Sequence, residues 1–178
     1  VMRAIYVNIR EVGFEQGAST QTQQLVRSLF LSNTKTISRK IKEALYSLII
    51  EARFDKKKIL EAYLNQVYLG QVGDQSIHGI SAGADFWFGR DVSNLKDHEI
   101  ALLIGLVQGP YYWDPRKHPE RALKRRAVVL GVFLETGLLT QQQFDVANKA
   151  PLGVVEKPVL VRNRAPAFLD IVRRQLAK

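Results

Sequence analysis

Apolar residues return every three or four positions along most of this chain, a period that admits helices and little else. Met2, Ile5, Ile9 and Val12 share one stripe and predict a first amphipathic helix. Gly17-Ala18-Ser19-Thr20 can break and cap, after which Leu25, Val26, Leu29 and Phe30 form the apolar side of a second helix. Ile37, Ile41, Leu45, Leu48 and Ala52 continue the pattern in a third. Ile59, Leu60, Tyr63, Leu64, Val67 and Tyr68 predict a fourth, ended near Gly70 by a glycine cap. Gly70 to Gly79 reads as a loop, and Ala82 to Phe88 as a short aromatic-rich helix before Gly89. Ser93 and Asn94 offer N-caps for a buried helix through Val107, stopped by Gly109-Pro110. Pro119 suits the first turn of a helix running to Gly137, and Thr140 with Gln143 has the capping-box spacing for another to about Lys149. Val159 to Val161 reads as extended, with a last helix opening at Pro166. With no repeat and no strong strand alternation, the expected class is predominantly α.

A length of 178 residues fits one domain with a single core, and a hydrophobic share of 46% excludes a disordered chain. The net charge of +9 and pI of 9.9 point to an anionic partner: nucleic acid, an acidic membrane surface or a phosphorylated substrate. The chain has no cysteine, and its three histidines, His78, His98 and His118, lack ligand spacing and are expected at the surface, so no metal site is assigned. The longest apolar run, Ile100 to Val107, is far too short to span a bilayer. The start at Val1 and the lack of a signal pattern suggest an excised domain whose anchor lies elsewhere.

What lies opposite the apolar stripes carries more information. Ser19, Gln23 and Arg27 recur every four residues on the second helix, as do Lys35, Arg39 and Glu43 on the third, with Lys40 beside them. Two adjacent helices thus carry polar and cationic rows. They are either solvated faces with ordinary ion pairs such as Arg39 to Glu43, or the walls of a cleft in which cations and a helix N-terminus hold a diphosphate near a carboxylate.

The motifs decide between these. Gly17-Ala18-Ser19-Thr20-Gln21-Thr22-Gln23-Gln24-Leu25 resembles the second motif of the family 51 glycosyltransferase domain of bifunctional class A penicillin-binding proteins. Arg39-Lys40 with Glu43 and Glu51 resembles the third, and Lys58 to Asn65 (including Glu61) with Tyr68 and Gly70 the fourth. Arg125-Arg126 before Val129-Leu130 is similar to the fifth. Gly70-Gln71, Gly73-Asp74 and Phe88-Gly89-Arg90 favour the bifunctional branch. Four motifs in order are a specific signal, and the resemblance covers nearly all of the chain. It implies a helical, lysozyme-like peptidoglycan glycosyltransferase domain at the outer (periplasmic) face of the bacterial cytoplasmic membrane, joined in the parent chain to a transpeptidase domain that residues 1–178 do not include.

The implied reaction takes a growing lipid-linked glycan as donor and lipid II as acceptor. The acceptor's 4-hydroxyl attacks the anomeric carbon with inversion and polyprenyl diphosphate leaves. The resemblance places Ser19, Thr20, Gln23, Arg27, Lys35, Arg39 and Lys40 at the diphosphate and gives Glu43 a supporting catalytic role. Gln24, Glu51, Glu61, Asn65, Tyr68, Arg125 and Arg126 fall to structural motif positions. No cofactor is required, although a divalent cation such as magnesium is compatible with the family. The first motif, which supplies the principal general base as Glu-Asp before phenylalanine, histidine and glycine, is absent: Glu11 and Glu15 are the only carboxylates before Ser19. The chain is therefore expected to be either a fragment cut after that motif or a degenerate homologue, and in both cases inactive alone. Arg27 and Lys35 also exchange the family's usual lysine and arginine, which keeps charge and alters geometry.

Several residues have plainer expectations. Tyr63, Asn65 and Tyr68 should pack and hydrogen-bond within the fold, and Trp87 and Trp113 should be core or rim aromatics. Arg125 and Arg126 form either a solvated basic face or a tie to Glu61 or Glu51. Two rival classes remain, a lysozyme-like hydrolase and a basic helical module on nucleic acid. The first needs a carboxylate pair and no diphosphate site. The second needs cations gathered on one reading helix, whereas these are spread along the chain, so no nucleic-acid partner is expected.

Overall fold

The computed structural model describes residues 20–31 and 36–156, so the first predicted helix, Ser19, Lys35 and the elements expected after Val159 lie outside the described residues. The described residues are predominantly α-helical, as expected. Contacts group the chain into two compact units, Val1–Val67 and Tyr68–Lys178.

The first unit holds three described helices, α1 (Gln21–Phe30), α2 (Ile37–Arg53) and α3 (Lys56–Gln66). Each begins at a residue able to accept from the free amides of a first turn: Thr20, Thr36 and Asp55 accept from Gln23, Arg39 and Lys58. Gln23 also closes a capping box by accepting from the Thr20 amide at 3.3 Å. α1 packs on both α2 and α3, with Leu25, Val26, Ile59, Tyr63 and Val67 buried. α3 stops at Val67 rather than at Gly70.

α2 overturns one expectation. Its apolar stripe does not face the core: Ile37 is 82% exposed, Ile41 57% and Leu48 64%, and Leu45 and Ala52 are exposed as well. The opposite, polar side is buried at Glu43 and Ser47. Periodicity fixes that a helix has two faces, but which face is covered depends on what packs there. On α1 the same holds in part, since Leu25 and Val26 are buried while Leu29 and Phe30 are exposed.

The second unit starts with a hairpin where a loop was expected. β1 (Tyr68–Val72) pairs antiparallel with β2 (Gln75–His78), joined by Gly73-Asp74, and the register shifts between Tyr68 and Gly70. Gly73 turns at φ 54°, and its carbonyl accepts from the Gln71 side chain at 2.7 Å. α4 (Ile80–Phe88) ends at Gly89 in the left-handed conformation, as read, and buries Phe86, Trp87 and Phe88. A short 3₁₀ turn, Val92–Asn94, occupies the place where Ser93 and Asn94 were expected to cap; Asp91 caps that turn instead, and α5 (Asp97–Leu106) begins three residues later. α6 (Pro119–Glu135) and α7 (Gln141–Lys149) start at the proline and the Thr140–Gln143 box anticipated from sequence. α6 packs along α5 and α7 closes one side, giving a core of Ala101, Val129, Leu130, Leu139 and Ala147 with Phe133 and Phe144 against it. No described helix is long and apolar enough to cross a membrane.

Candidate active site

In the first unit the chemistry gathers around a fully buried carboxylate. Glu43 Oε2 accepts from Arg39 Nη1 at 3.2 Å, and Glu43 Oε1 accepts from Lys40 Nζ at 2.6 Å. Spacings of four and three residues put both cations one helical turn before the acid, so α2 by itself assembles the group. The ordinary intrahelical pair expected between Arg39 and Glu43 exists, but it is not a solvated one: Glu43 has no exposed side-chain surface and Arg39 retains 15%. A buried carboxylate persists only when its oxygens are satisfied, and here both are met by cations. One turn further on, Ser47 Oγ donates to the Glu43 carbonyl at 2.6 Å. Arg39 Nε is buried without a hydrogen-bond partner among the described residues.

A second set joins α1 to α3. Tyr63 Oη donates to Gln24 Oε1 at 3.2 Å. Burial pushes the Tyr63 phenol above its usual range, and the positive charge of Arg27 opposes the rise. Arg27 itself is exposed at the end of α1, Gln23 is half-buried, and Thr20 and Gln23 are engaged with each other in the capping box. Gln24 and Tyr63 meet the expectation of internal hydrogen bonding and packing. Asn65 does not, since it is exposed, as are Glu51 and Glu61. Ser19 and Lys35, the two remaining members of the predicted rows, lie outside the described residues.

The residues read from the second unit turn out to be internal supports. Tyr68 is half-buried, with its ring 5.4 Å from that of His78. Trp87 is a core residue whose indole donates to the Leu69 carbonyl at 2.9 Å, while Trp113 is half-buried. Arg126 is not on a solvated basic face. It is 1% exposed and donates to the carbonyls of Asn148, Ala150 and Pro151 at 2.7 to 2.9 Å. Arg125, half-buried, donates through Nε to the Gly105 carbonyl at 3.3 Å. His78 is exposed as expected, whereas His98 and His118 are half-buried. Burial lowers the His98 pKa, with Arg126 and Lys96 adding to the effect and Glu99 and Asp97 opposing it. Sequence reasoning passed over Arg116, which donates to two backbone carbonyls; no spacing marks it.

Among the described residues of the first unit, the donor set does not suit a resident metal ion. Both Glu43 oxygens already face cations, and no cluster of three His, Cys, Asp or Glu side chains able to hold a metal occurs among the described residues. What the arrangement can do is hold Arg39 and Lys40 on a buried carboxylate, with Lys40 partly exposed, while Arg27 stands exposed at the end of α1.

Comparison with known proteins agrees with these motifs. The transglycosylase family model matches residues 1–133. Penicillin-binding protein 1B of Haemophilus influenzae is 43% identical over all of the chain and 23% of its own length. Penicillin-binding protein 1A of Aquifex aeolicus is 47% identical over 97% of the chain and 23% of that protein. Penicillin-binding protein 1B of Escherichia coli is 41% identical over 98% of the chain and 20% of that protein. The chain therefore spans about a quarter or less of these relatives. The crystal structure of penicillin-binding protein 1A from Haemophilus influenzae superposes with a TM-score of 0.53 at 29% identity, covering 72% of this chain and 19% of that one. With a family model over three quarters of its residues and relatives matched along nearly its whole length, the chain belongs to the transglycosylase family.

Proposed function

We propose that this chain is the glycan-polymerising part of a bifunctional penicillin-binding protein, transferring a growing lipid-linked glycan onto lipid II with inversion at the anomeric carbon. The acceptor's 4-hydroxyl forms the new glycosidic bond as the bond to diphosphate breaks. The hydroxyl proton goes to a carboxylate, and the bond's electron pair leaves on the diphosphate oxygen. The observation that carries this reading is Glu43, fully buried between Arg39 and Lys40. A carboxylate with both oxygens held by cations suits the task of fixing those cations beneath a departing diphosphate, not of accepting the proton. The acceptor of the proton belongs to the family's first motif, which residues 1–178 do not contain, so this chain binds substrate and turns it over poorly. Lys35, Arg27 and Ser19 complete the anion site in this reading, with Thr20 and Gln23 shaping the α1 terminus. A divalent cation such as magnesium is an optional aid to the diphosphate, so chelation leaves binding unchanged.

The setting follows from the same reading. Lipid II and lipid-linked glycan lie in a membrane, and the exposed apolar side of α2 supports a seat at the membrane surface, at the outer face of the bacterial cytoplasmic membrane. The larger size of the relatives supports a transpeptidase domain in the parent chain. Binding of labelled lipid II in detergent, competed with duplex DNA, tests the proposal. Lipid II should bind, resist DNA, and weaken at least tenfold with Lys35→Glu or Arg27→Glu. Better binding of DNA, or indifference to both substitutions, would overturn the assignment.

A further inference from the structure

The last described stretch of the second unit, residues 150–155, has no helix or strand of its own, yet it is fastened along its length. Arg126 holds its start through the Ala150 and Pro151 carbonyls at 2.7 and 2.9 Å. In the middle, Gly153 adopts φ 71°, and a Cβ there would sit 3.1 Å from Glu99 Oε1. At the far end the Val155 amide donates to the Trp87 carbonyl at 2.9 Å, and the Val155 carbonyl accepts from Arg116 Nε at 2.8 Å. This strap lies beyond residue 133, where the family match stops, although both arginines that hold it lie within the match.

Arg116 has a second task. Its Nη2 donates to the Phe86 carbonyl at 2.7 Å, and its guanidinium lies 4.6 Å from the Phe86 ring centroid and 4.4 Å from that of Trp87. Those two rings, with Arg116 itself, Tyr68, Gln71 and Tyr111, line a cavity of about 490 Å³ beside the hairpin. Trp87 is in turn pinned to β1 by its indole bond to Leu69, and Gly70 lies so close that a Cβ would come within 3.1 Å of Phe86 and 3.2 Å of Trp87. A rigid, half-buried side chain therefore touches both the strap and the cavity floor, with every bond directional.

We propose that Arg116 couples the strap to the cavity, so that displacing residues 150–155 from their C-terminal end loosens the Phe86–Trp87 floor, and disturbing the floor loosens the strap. Coupling between two sites is reciprocal by thermodynamic necessity, which allows it to be tested from both sides. The relatives carry most of their length outside the matched stretch, which gives such a device something to respond to.

Hydrogen exchange by NMR on the full chain reads both ends. Val155→Pro deletes the amide bonded to Trp87. It should speed exchange of the Trp87 indole proton at least fivefold, leaving the Trp113 indole and the Leu130 amide unchanged. Trp87→Phe should speed exchange of the Val155 amide by a similar factor. Arg116→Lys keeps the charge but cannot fork to both carbonyls, and should loosen both ends at once. An unchanged Trp87 indole in Val155→Pro would overturn the proposal. So would Leu130 accelerating as much as Trp87, because strap and floor would then open only with the whole core.

Discussion

The second unit and helix α2 of the first solve the problem of burial in opposite ways. The second seals Leu102, Leu103, Leu106 and Leu130, and its fully buried Arg126 donates to three carbonyls. The first, among its described residues, seals a glutamate and a serine and leaves a row of isoleucines and leucines exposed on the same helix. Apolar burial needs only exclusion of water, whereas a buried carboxylate must have its charge answered at close range, and α2 answers it with its own preceding turn. A helix that turns its polar face inward is organised around chemistry, and the exposed apolar face is left for another apolar phase. In the proposed function the second unit is a support and the first holds the site.

The largest effect should come from breaking the support. Arg126→Met removes the donor to the carbonyls of Asn148, Ala150 and Pro151, and should destabilise the second unit by about 4 kcal/mol, read as a lowered denaturation midpoint. Glu43→Ala removes the answer to two cations. Because Lys40 is half-exposed the loss should be smaller, about 3 kcal/mol, and confined to exchange protection in residues 20–67. If Glu43→Ala left the first unit untouched, the contrast between the units would fail. Gly83→Ala tests the packing of the support directly. Its Cβ would collide with Leu69 Cδ1 and come within 3.2 Å of Leu103 Cδ1, costing about 2 kcal/mol through forced repacking.

Smaller effects sharpen the picture of the exposed face. Ile41→Gln with Leu48→Gln should change stability by no more than about 0.5 kcal/mol each while lowering partition onto liposomes several-fold, measured by flotation. A large loss of stability would mean that the stripe is a core after all. The smallest effect is that of His98. Its folded pKa is lowered, so the neutral ring is favoured in the native state. The associated stability is present above the ordinary histidine pKa and is lost as pH falls through the lowered one. His98→Gln should flatten the acid side of the stability profile.

Much of this arrangement is legible in the sequence where the signal is local. Pro119, the Thr140–Gln143 box and Gly89 act within one turn of chain, and each marks an element end where it was read. The hairpin was missed because its strands are short and broken by Gly70, yet Gly73-Asp74 between two short runs is itself a two-residue turn signal. The Arg39–Lys40–Glu43 group was legible as spacing, and the four motifs told which chemistry to expect of it. Its burial was not legible, because periodicity is blind to which face meets the core. Neither was the clamp of Arg126 and Arg116 on residues 148–155, since backbone carbonyls leave no mark in a sequence.

The central claim is that Lys40, held by Glu43, and Arg27 belong to an anion site for diphosphate. The most direct measurement is titration of a short-chain prenyl diphosphate, in place of the lipid, against the wild-type chain, Arg27→Gln, Lys40→Gln and the second-unit control Lys124→Gln. Arg27 and Lys124 are exposed, and a glutamine at position 40 keeps an N–H donor for Glu43 Oε1, so each variant should keep its fold. The account predicts that Arg27→Gln and Lys40→Gln each weaken binding about tenfold, a loss of about 1.4 kcal/mol, while Lys124→Gln binds like wild type. Equal losses in all three variants would contradict it, for the diphosphate would then be sensing net charge and not a site built on Glu43.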